Sequence, residues 1–476
     1  MFTTKIIKVT LAVLILLVSP ITQALLADDV ESLIQQHIPN VKVGIVLMDP
    51  STGKVLYEKN AKQLFTPAST TKLFTATAGL LTLGSDYRFE TLVKANLQNL
   101  KAGRLDGDLA LVFNGDPSLT VADVKALIAK ISAQGITEIK GDVIIDDSRF
   151  QSPDYAMGWS SESLAWYYAA PITTTMLNQN QLGISIVSNP KLGQKATVSW
   201  LEPEIMPSLL PLQSNILSVS EEDANTICQI EVQMNDNNAL NIKGCWPLEP
   251  NPRHLKVAVK NPYAAMKQLL IETFKNNHIR LIGKIKRGVS SEKSPTMTTH
   301  YSKSLNDLLK NILQDSNNVY AEALLKTLGV TQFQRGTFQS GARAVQAILE
   351  PVTGINASEW QLLDGSGLSN YNLVTPMHLA HLLATVQNHP TIATIFKEAL
   401  PVSGVDGTLK NRANQLQGNL RAKTGTMAGT SSLAGFLTTK NNKELVLVVM
   451  CDHFLQPRAT VKAFEDKLSE LWMELE

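Results

Sequence analysis

Cysteine is scarce in this 476-residue chain, with only Cys228, Cys245 and Cys451 present, so a disulfide framework cannot be what organises it. An excess of one charge is missing too. Lys and Arg total 43 against 42 Asp and Glu, a formal net charge of +1, which argues against the electrostatic footprint of a general nucleic-acid binder. Beyond the first residues no apolar run approaches bilayer length. The chain has no His-Glu-x-x-His and no Gly-x-Ser-x-Gly. A metal hydrolase of the zincin type and a nucleophile-elbow hydrolase therefore both lack their motif. His378 and His381 share a helical face, but without a carboxylate motif they read as surface or core histidines, and no metal or cofactor is expected. What is abundant is core-forming material: 44% of residues are hydrophobic. That supplies real cores, and the length predicts two to four domains.

The first residues fit an export signal. Lys5 and Lys8 form a basic start, Val9 to Val18 is nearly all apolar, and small residues follow at Ala24 and Ala27. Cleavage after one of these alanines leaves a protein expected in the periplasm, with no cysteine placed to accept lipid. Cys228 and Cys245 lie close together in a polar, turn-rich region of an exported chain and are predicted to form a disulfide. Cys451 ends the strand-like run Leu445 to Met450 and reads as a buried hydrophobe.

Ser69 and Lys72 stand at the start of one helix, because Pro67-Ala68 precedes them and Leu73, Ala76, Leu80 and Leu83 follow at three- and four-residue spacing. Their side chains share a face. A serine hydroxyl is a weak nucleophile until a base touches it, and a lysine whose charged form is disfavoured by burial can be that base. The same Ser-x-x-Lys pattern recurs at Ser51, Ser188 and Ser290, but the first sits in Asp49-Pro50-Ser51-Thr52-Gly53 turn chemistry. The second is broken by Pro190, and the third lies in a polar stretch ending at Pro295. Only Ser69 heads an apolar-periodic helix, where N-terminal N–H groups also suit a developing oxyanion. The chain reads as an acyl-transfer enzyme.

Such a site needs a proton path to the leaving group and something to hold the substrate. Ser316-Asn317-Asn318 falls between the amphipathic stretches Leu305–Leu313 and Val319–Leu324, hence in a helix-to-helix connection. Ser304-Leu305-Asn306 has the same Ser-x-Asn form, but Ser304 reads as a helix N-cap. Lys423-Thr424-Gly425-Thr426 lies in a predicted strand, followed by Leu433 to Thr439, an Asn441-Asn442 turn, Leu445 to Met450 and a helix from about Thr460 to Leu475. This is an antiparallel meander with a closing helix. A strand edge bearing a lysine and two threonines can pair with an extended peptide and hold a carboxylate, and Gly425 is expected to let the substrate approach closely.

Ser-x-x-Lys, Ser-x-Asn and Lys-Thr-Gly in this order are the set shared by penicillin-binding proteins and class A β-lactamases. From about Val43 to its C-terminus the chain resembles the D-alanyl-D-alanine carboxypeptidase/endopeptidases of the penicillin-binding protein 4 type. The resemblance also rests on Gly107-Asp108-Leu109, Gly115-Asp116-Pro117, Gly141-Asp142-Val143, Asp364-Gly365-Ser366-Gly367-Leu368-Ser369 and Gly404-Val405-Asp406-Gly407-Thr408-Leu409. It implies an α+β fold: a serine β-lactamase/transpeptidase-like domain, an antiparallel sheet covered by helices, with a large β-rich inserted region. Ser316 to Lys423 spans 107 positions, and Ser69 to Ser316 more than twice that, which is where the insertion belongs. The expected organisation is a signal peptide at 1–27, a catalytic domain from 28–92 and 258–476, and an inserted domain at 93–257. A smaller subdomain at about 190–250 holds Cys228 and Cys245. Chain re-entry near Asn261-Pro262-Tyr263 opens a helix.

The resemblance further implies that Ser69 attacks the carbonyl between two D-alanines of a peptidoglycan stem peptide while Lys72, kept neutral by burial and by the charge of Lys423, takes its proton. Ser316 relays a proton to the departing amine. Asn318 binds a substrate amide, Lys423, Thr424 and Thr426 hold the terminal carboxylate, and the N–H groups of Ser69 and Thr426 meet the oxyanion. β-Lactams follow as covalent inhibitors. Homodimerisation is left open, as is the balance of carboxypeptidase and endopeptidase activity. Two positions depart from the family: Ser163 stands where Asp is common, next to Glu162, and Asn370 where Arg is common, both associated with the charged end of a diaminopimelate side chain. Asn317 replaces the commoner Asp of the second motif. A class A β-lactamase is much shorter and needs no insertion. A non-catalytic wall-binding scaffold is disfavoured by the intact Ser69, Lys72, Ser316, Asn318 and Lys423.

Overall fold

The computed structural model describes residues 27–201, 210–226 and 228–475; the expected export signal lies outside them except for Ala27. The described residues form two compact units, one within 27–82, 309–316 and 345–475, the other within 83–308 and 317–344.

The first unit is built on one five-stranded sheet. Its strands run in the order Leu420–Met427, Thr430–Thr438, Glu444–Asp452, Lys42–Met48, Val55–Lys59, and every neighbouring pair is antiparallel. The central strand Glu444–Asp452 is buried at every residue after the first. It reads as a continuous apolar run because both faces are covered, where a half-solvated strand would alternate. On one face the helix formed by residues 27–37 and the helix Arg458–Met473 pack Val30, Ile34, Val461, Phe464, Leu468 and Trp472 onto Ile45, Leu47, Leu433, Leu447 and Val449. The alternate residues Val46, Val448 and Met450 are buried as well, and the helix Pro376–Gln387 packs against those two strands. The helix Thr71–Leu83 is buried from Thr71 through Leu80, as its apolar spacing predicts. Leu420–Met427 forms the sheet's margin. Its outer side meets Pro401–Ser403 as far as Ala422, whose N–H donates to the Pro401 carbonyl at 3.1 Å. Among the described residues no strand continues the sheet alongside 423–427.

The second unit holds a five-stranded sheet of order Ile285–Arg287, Val143–Asp146, Leu109–Val112, Glu90–Lys94, Thr296–Tyr301. The helices Val121–Ala133 and Pro262–Asn276 cover it, with Val124, Ile128, Met266, Leu269 and Phe274 packed on Val93, Leu111 and Ile145. Asn261 caps the second of these helices, its Oδ1 accepting from Ala264 N at 3.0 Å ahead of Pro262, as the sequence predicts. Two three-stranded sheets share a further core: Thr197–Trp200, Gln181–Val187, Arg253–Ala258, and Leu212–Val219, Leu240–Pro247, Ile230–Met234. The expected inserted domain, 93–257, lies within this second unit, which itself runs from Leu83 to Leu308 and includes 317–344. The reason is packing. The re-entry helix buries its apolar stripe against Val121–Ala133, and the strand Thr296–Tyr301 pairs with Glu90–Lys94.

A disulfide joins Cys228 to Cys245, and Cys451 is a fully buried free thiol within its strand. Thiol titration should therefore find no fast-reacting group in the native protein, one after denaturation without reductant, and all three after reduction. More than one thiol in the denatured, unreduced sample would contradict the pairing.

Candidate active site

The turn that carries Ser69 is fastened to the sheet before its helix begins. Thr66 N donates to Asp452 Oδ2 at 2.9 Å, while Thr430 Oγ1 donates to Asp452 Oδ1 at 2.9 Å. The Pro67 carbonyl accepts from Thr70 Oγ1 and from Ser432 Oγ, both at 2.7 Å. These bonds hold Ala68 at φ +47°, a left-handed conformation that costs an alanine roughly 1–3 kcal/mol and persists only where the surroundings enforce it. A single 3₁₀ turn, Ala68–Thr70, then feeds the α-helix at Thr71. Three positions apart on one face, Lys72 Nζ donates to Ser69 Oγ at 2.9 Å. Ser69 is partly exposed and Lys72 fully buried, so the hydroxyl is reachable and the amine is shielded.

The Lys72 amine also donates to the Ser366 carbonyl at 2.7 Å, and Thr75 Oγ1 donates to the Gly365 carbonyl at 2.9 Å. Gly367, at φ +84°, lies so close that a β-carbon there would collide with the Ala68 carbonyl and lie 2.8 Å from Thr71 Oγ1. Behind this loop the buried Asp364 carboxylate accepts from Gly367 N at 2.9 Å, Ser369 N at 2.6 Å and Asn372 Nδ2 at 2.6 Å. The string Asp364–Ser369 enters the sequence analysis only as a mark of family. Its part in the site is played by carbonyl groups, which every residue type possesses. The one available signal is Asp followed by Gly, the pattern of a side chain that hydrogen-bonds its own turn.

A second serine–lysine pair adjoins the first. Ser316, at φ +59° in the connection after the helix Leu305–Leu313, accepts a hydrogen bond on Oγ from Lys423 Nζ at 2.9 Å, and the same amine donates to the Thr424 carbonyl at 2.8 Å. Lys423 is fully buried. Burial, and secondarily the charge of Lys72, hold its amine well below the usual lysine range. Thr424 Oγ1 donates to Thr408 Oγ1 at 2.7 Å, a partner the sequence reading does not assign. Thr426 is half-buried, opposite Ser431 on the neighbouring strand. Gly425 faces another way than expected: a β-carbon there would strike Ser432 Oγ and lie 2.7 Å from the Pro67 carbonyl and 3.0 Å from Ser69 N. The glycine brings the strand up to the nucleophile turn, while the sequence reading assigns that closeness to the substrate.

Ser69, Lys72, Ser316, Lys423, Thr424 and Gly425 are thus gathered in the first unit. Asn318 belongs to the second, at the start of the helix Asn318–Phe333, where its Nδ2 donates to the Tyr168 carbonyl at 2.7 Å. Asn317 caps that helix through Oδ1, and its Nδ2 donates to Gln179 Oε1 at 2.6 Å. Ser163 lies in a short 3₁₀ turn beside the exposed Glu162, and Asn370 is exposed in a turn of the first unit. The other Ser-x-x-Lys copies sit in loops. Ser51 closes a hairpin turn on Asp49 Oδ1 at 2.6 Å, and Ser188 Oγ donates to the Pro247 carbonyl at 2.9 Å. Ser290 N donates to Asp146 Oδ2 at 2.7 Å. Ser304 caps its helix, accepting weakly from Asp307 N at 3.4 Å. His378 accepts from Thr375 N on Nδ1.

A nucleophile touching one buried amine and a second hydroxyl touching another can form an acyl-enzyme and move protons on both sides of it. The model for the D-Ala-D-Ala carboxypeptidase 3 (S13) family matches residues 26–472. The D-alanyl-D-alanine carboxypeptidase DacB of Haemophilus influenzae is 30% identical over 426 residues, covering 88% of this chain and 87% of that protein. The D-alanyl-D-alanine carboxypeptidase of Actinomadura sp. is 30% identical over 428 residues, with 87% and 78% covered. Among solved structures, penicillin binding protein 4 (dacB) from Haemophilus influenzae superposes with a TM-score of 0.86 at 29% identity over 94% of this chain and 99% of that one. A complex of the same protein with a β-lactam gives 0.81 at 27%, with the same coverage. The fold is accordingly the α+β, serine β-lactamase/transpeptidase type.

The position of Gly425 yields a direct test. Gly425→Ala should displace the nucleophile turn and slow acylation of Ser69 by a chromogenic thioester by at least about tenfold, since small misplacements of reacting groups are costly. Acylation at the wild-type rate in a folded variant would show that the contact with Ser69 N is immaterial.

Proposed function

The chain belongs to the D-Ala-D-Ala carboxypeptidase 3 (S13) family, and from this premise we propose that it is a serine hydrolase of peptidoglycan with Ser69 as nucleophile. In this reading it removes the terminal D-alanine of stem peptides, cleaves D-alanine cross-links, or does both. The observation that carries the reading is the 2.9 Å hydrogen bond from Lys72 Nζ to Ser69 Oγ, with Lys423 on Ser316 at the same distance beside it. Ser69 Oγ attacks the carbonyl carbon between the two D-alanines as its proton passes to the neutral Lys72 amine. The backbone N–H groups of Ser69 and Thr426 receive the oxyanion. The C–N bond breaks as Ser316 relays to the departing amine the proton taken up by Lys72, and the acyl group stays on Ser69 as an ester. Water hydrolyses the ester, releasing the shortened peptide and restoring the hydroxyl. Lys423, Thr424 and Thr426 hold the terminal carboxylate, and Asn318 a substrate amide.

The lysine, threonines and open sheet margin suit an extended peptide that ends in a carboxylate. A β-lactam presents the same acyl and carboxylate groups, and a β-lactam complex is known for the Haemophilus protein. Inhibition by covalent acylation of Ser69 therefore belongs to the proposal. So does export to the periplasm, supported by the composition of residues 1–27 and by the disulfide. No helix of the described residues is long and apolar enough to cross a membrane. Residues 28–92 and 258–476 are read as the catalytic domain and 93–257, which lie within the second unit, as the inserted domain, its smaller subdomain the sheet of Leu212–Val219, Ile230–Met234 and Leu240–Pro247 with the disulfide.

Purified protein should take up a fluorescent penicillin covalently and release D-alanine from peptidoglycan, and Ser69→Ala should abolish both while melting as the wild type does. Release of D-alanine by the folded Ser69→Ala protein would remove Ser69 from its assigned role. The second test follows from Lys423. Its ammonium anchors the carboxylate, and pH rising through its lowered pKa removes that charge. For substrates ending in a free carboxylate, kcat/KM should therefore fall on the alkaline side well below pH 10.5, and a thioester substrate without a carboxylate should lack this limb. A limb shared by both substrates would point to another group.

A further inference from the structure

Lys326 is a buried amine for which the chemistry above has no use. It lies within the helix Asn318–Phe333, fully buried, and its Nζ donates to three main-chain carbonyls: Ile172 at 2.9 Å, Pro153 at 3.0 Å and Gln151 at 3.3 Å. The Phe338 ring lies 4.4 Å from the amine on another side. An ammonium has three N–H groups, and each finds one acceptor here, which is what a buried lysine needs to be tolerated. Burial pushes the pKa of its amine down to about 8, against the carboxylates of Asp154 and Glu322, which favour its charge.

The three acceptors are not neighbours in sequence. Gln151 and Pro153 open, and Ile172 closes, a segment without regular strands or long helices. Its two ends are joined where Ile172 N donates to the Asp154 carbonyl at 2.8 Å. The amine therefore pins the neck of a loop onto the helix. Inside the loop, the Tyr168 carbonyl accepts from Asn318 Nδ2 at 2.7 Å. Asn318 and Lys326 stand eight positions apart on the same helix, about two turns, so the loop is fixed to that helix at its neck and again at Tyr168.

We propose that Lys326 is a positioning residue for substrate binding: by clamping the neck of the 151–172 loop to the helix of Asn318, it places the Tyr168 carbonyl that orients the Asn318 amide. The inference rests on the reading of Asn318 as a substrate-binding group. A carbonyl fixed against the Asn318 Nδ2 restricts the direction in which that amide can point. Release of the neck lets that carbonyl move and loosens the grip on the substrate while leaving the Ser69–Lys72 pair as it is.

The test compares wild type, Lys326→Gln and Lys326→Met, measuring D-alanine release from a D-Ala-D-Ala peptide, melting temperature and hydrogen–deuterium exchange of 151–172. The glutamine keeps two N–H donors in the same cavity; the methionine keeps none. KM should rise in the order wild type, Gln, Met, by about tenfold at the end of the series, with kcat nearly unchanged. Exchange across 151–172 should quicken in the same order. A role confined to stability would lower the melting temperature and leave KM alone, and that result overturns the proposal. So does a loss that falls on kcat. If Lys326→Met does not fold, Lys326→Gln decides alone, and a wild-type KM in it is a refutation. A wild type that neither releases D-alanine nor takes up penicillin would defeat the functional reading instead; unchanged exchange in the variants would then still defeat the clamp.

Discussion

An amine removed from water must find acceptors for its N–H groups or forfeit its charge, and this requirement shapes the structure wherever a lysine is buried. Lys72, Lys423 and Lys326 are all fully enclosed, and each is met by main-chain carbonyls: Ser366 for the first, Thr424 for the second, Gln151, Pro153 and Ile172 for the third. The first two amines spend a further N–H on a serine hydroxyl, and those two hydroxyls are the ones to which we assign the chemistry. The proposed chemistry is thus fitted into the places where the satisfaction of a buried amine is shared between backbone and side chain.

That sharing explains why the nucleophile turn is so heavily fastened. A carbonyl serves as an acceptor only if its peptide plane is held, and the Ser366 carbonyl is held by Asp364 from behind and by Gly367 against Ala68 in front. Ala68 and Ser316, both left-handed without being glycine, carry conformational strain at the two points where the serines are aimed. At Ala68 the strain is borne by the hydrogen bonds of Pro67, Asp452 and the strand Thr430–Thr438.

Much of this is legible in the sequence because it follows from periodicity and turn chemistry. The helix behind Ser69, the connection at Ser316, the meander from Leu420 to Asp452, the N-caps at Ser304 and Asn261, and the loop setting of Ser51, Ser188 and Ser290 all declare themselves through local pattern. What escapes is whatever depends on the backbone of a distant segment. The carbonyls of Ser366 and Tyr168 have no signature, because any residue carries one. Lys326 reads as an ordinary helical lysine, since nothing in its neighbours announces that a loop neck will close over it. The direction of Gly425 depends on which face of its strand meets the Ser69 turn. The extent of the second unit was likewise hidden, because the strand partner of Glu90–Lys94 arrives only at Thr296.

The stretch of margin beside Lys423 that no strand pairs has a cost for the chain that bears it. An unpaired strand edge invites the strand of any other polypeptide, including another copy, and proteins usually blunt such edges with outward charge or covering segments. Here the Lys423 side chain is buried, backbone pairing stops at Ala422 and Thr424 Oγ1 hydrogen-bonds to Thr408 alongside, so shortness is the main protection: an unpaired template of only a few residues is long enough to grip a brief peptide tail and too brief to seed a growing fibril.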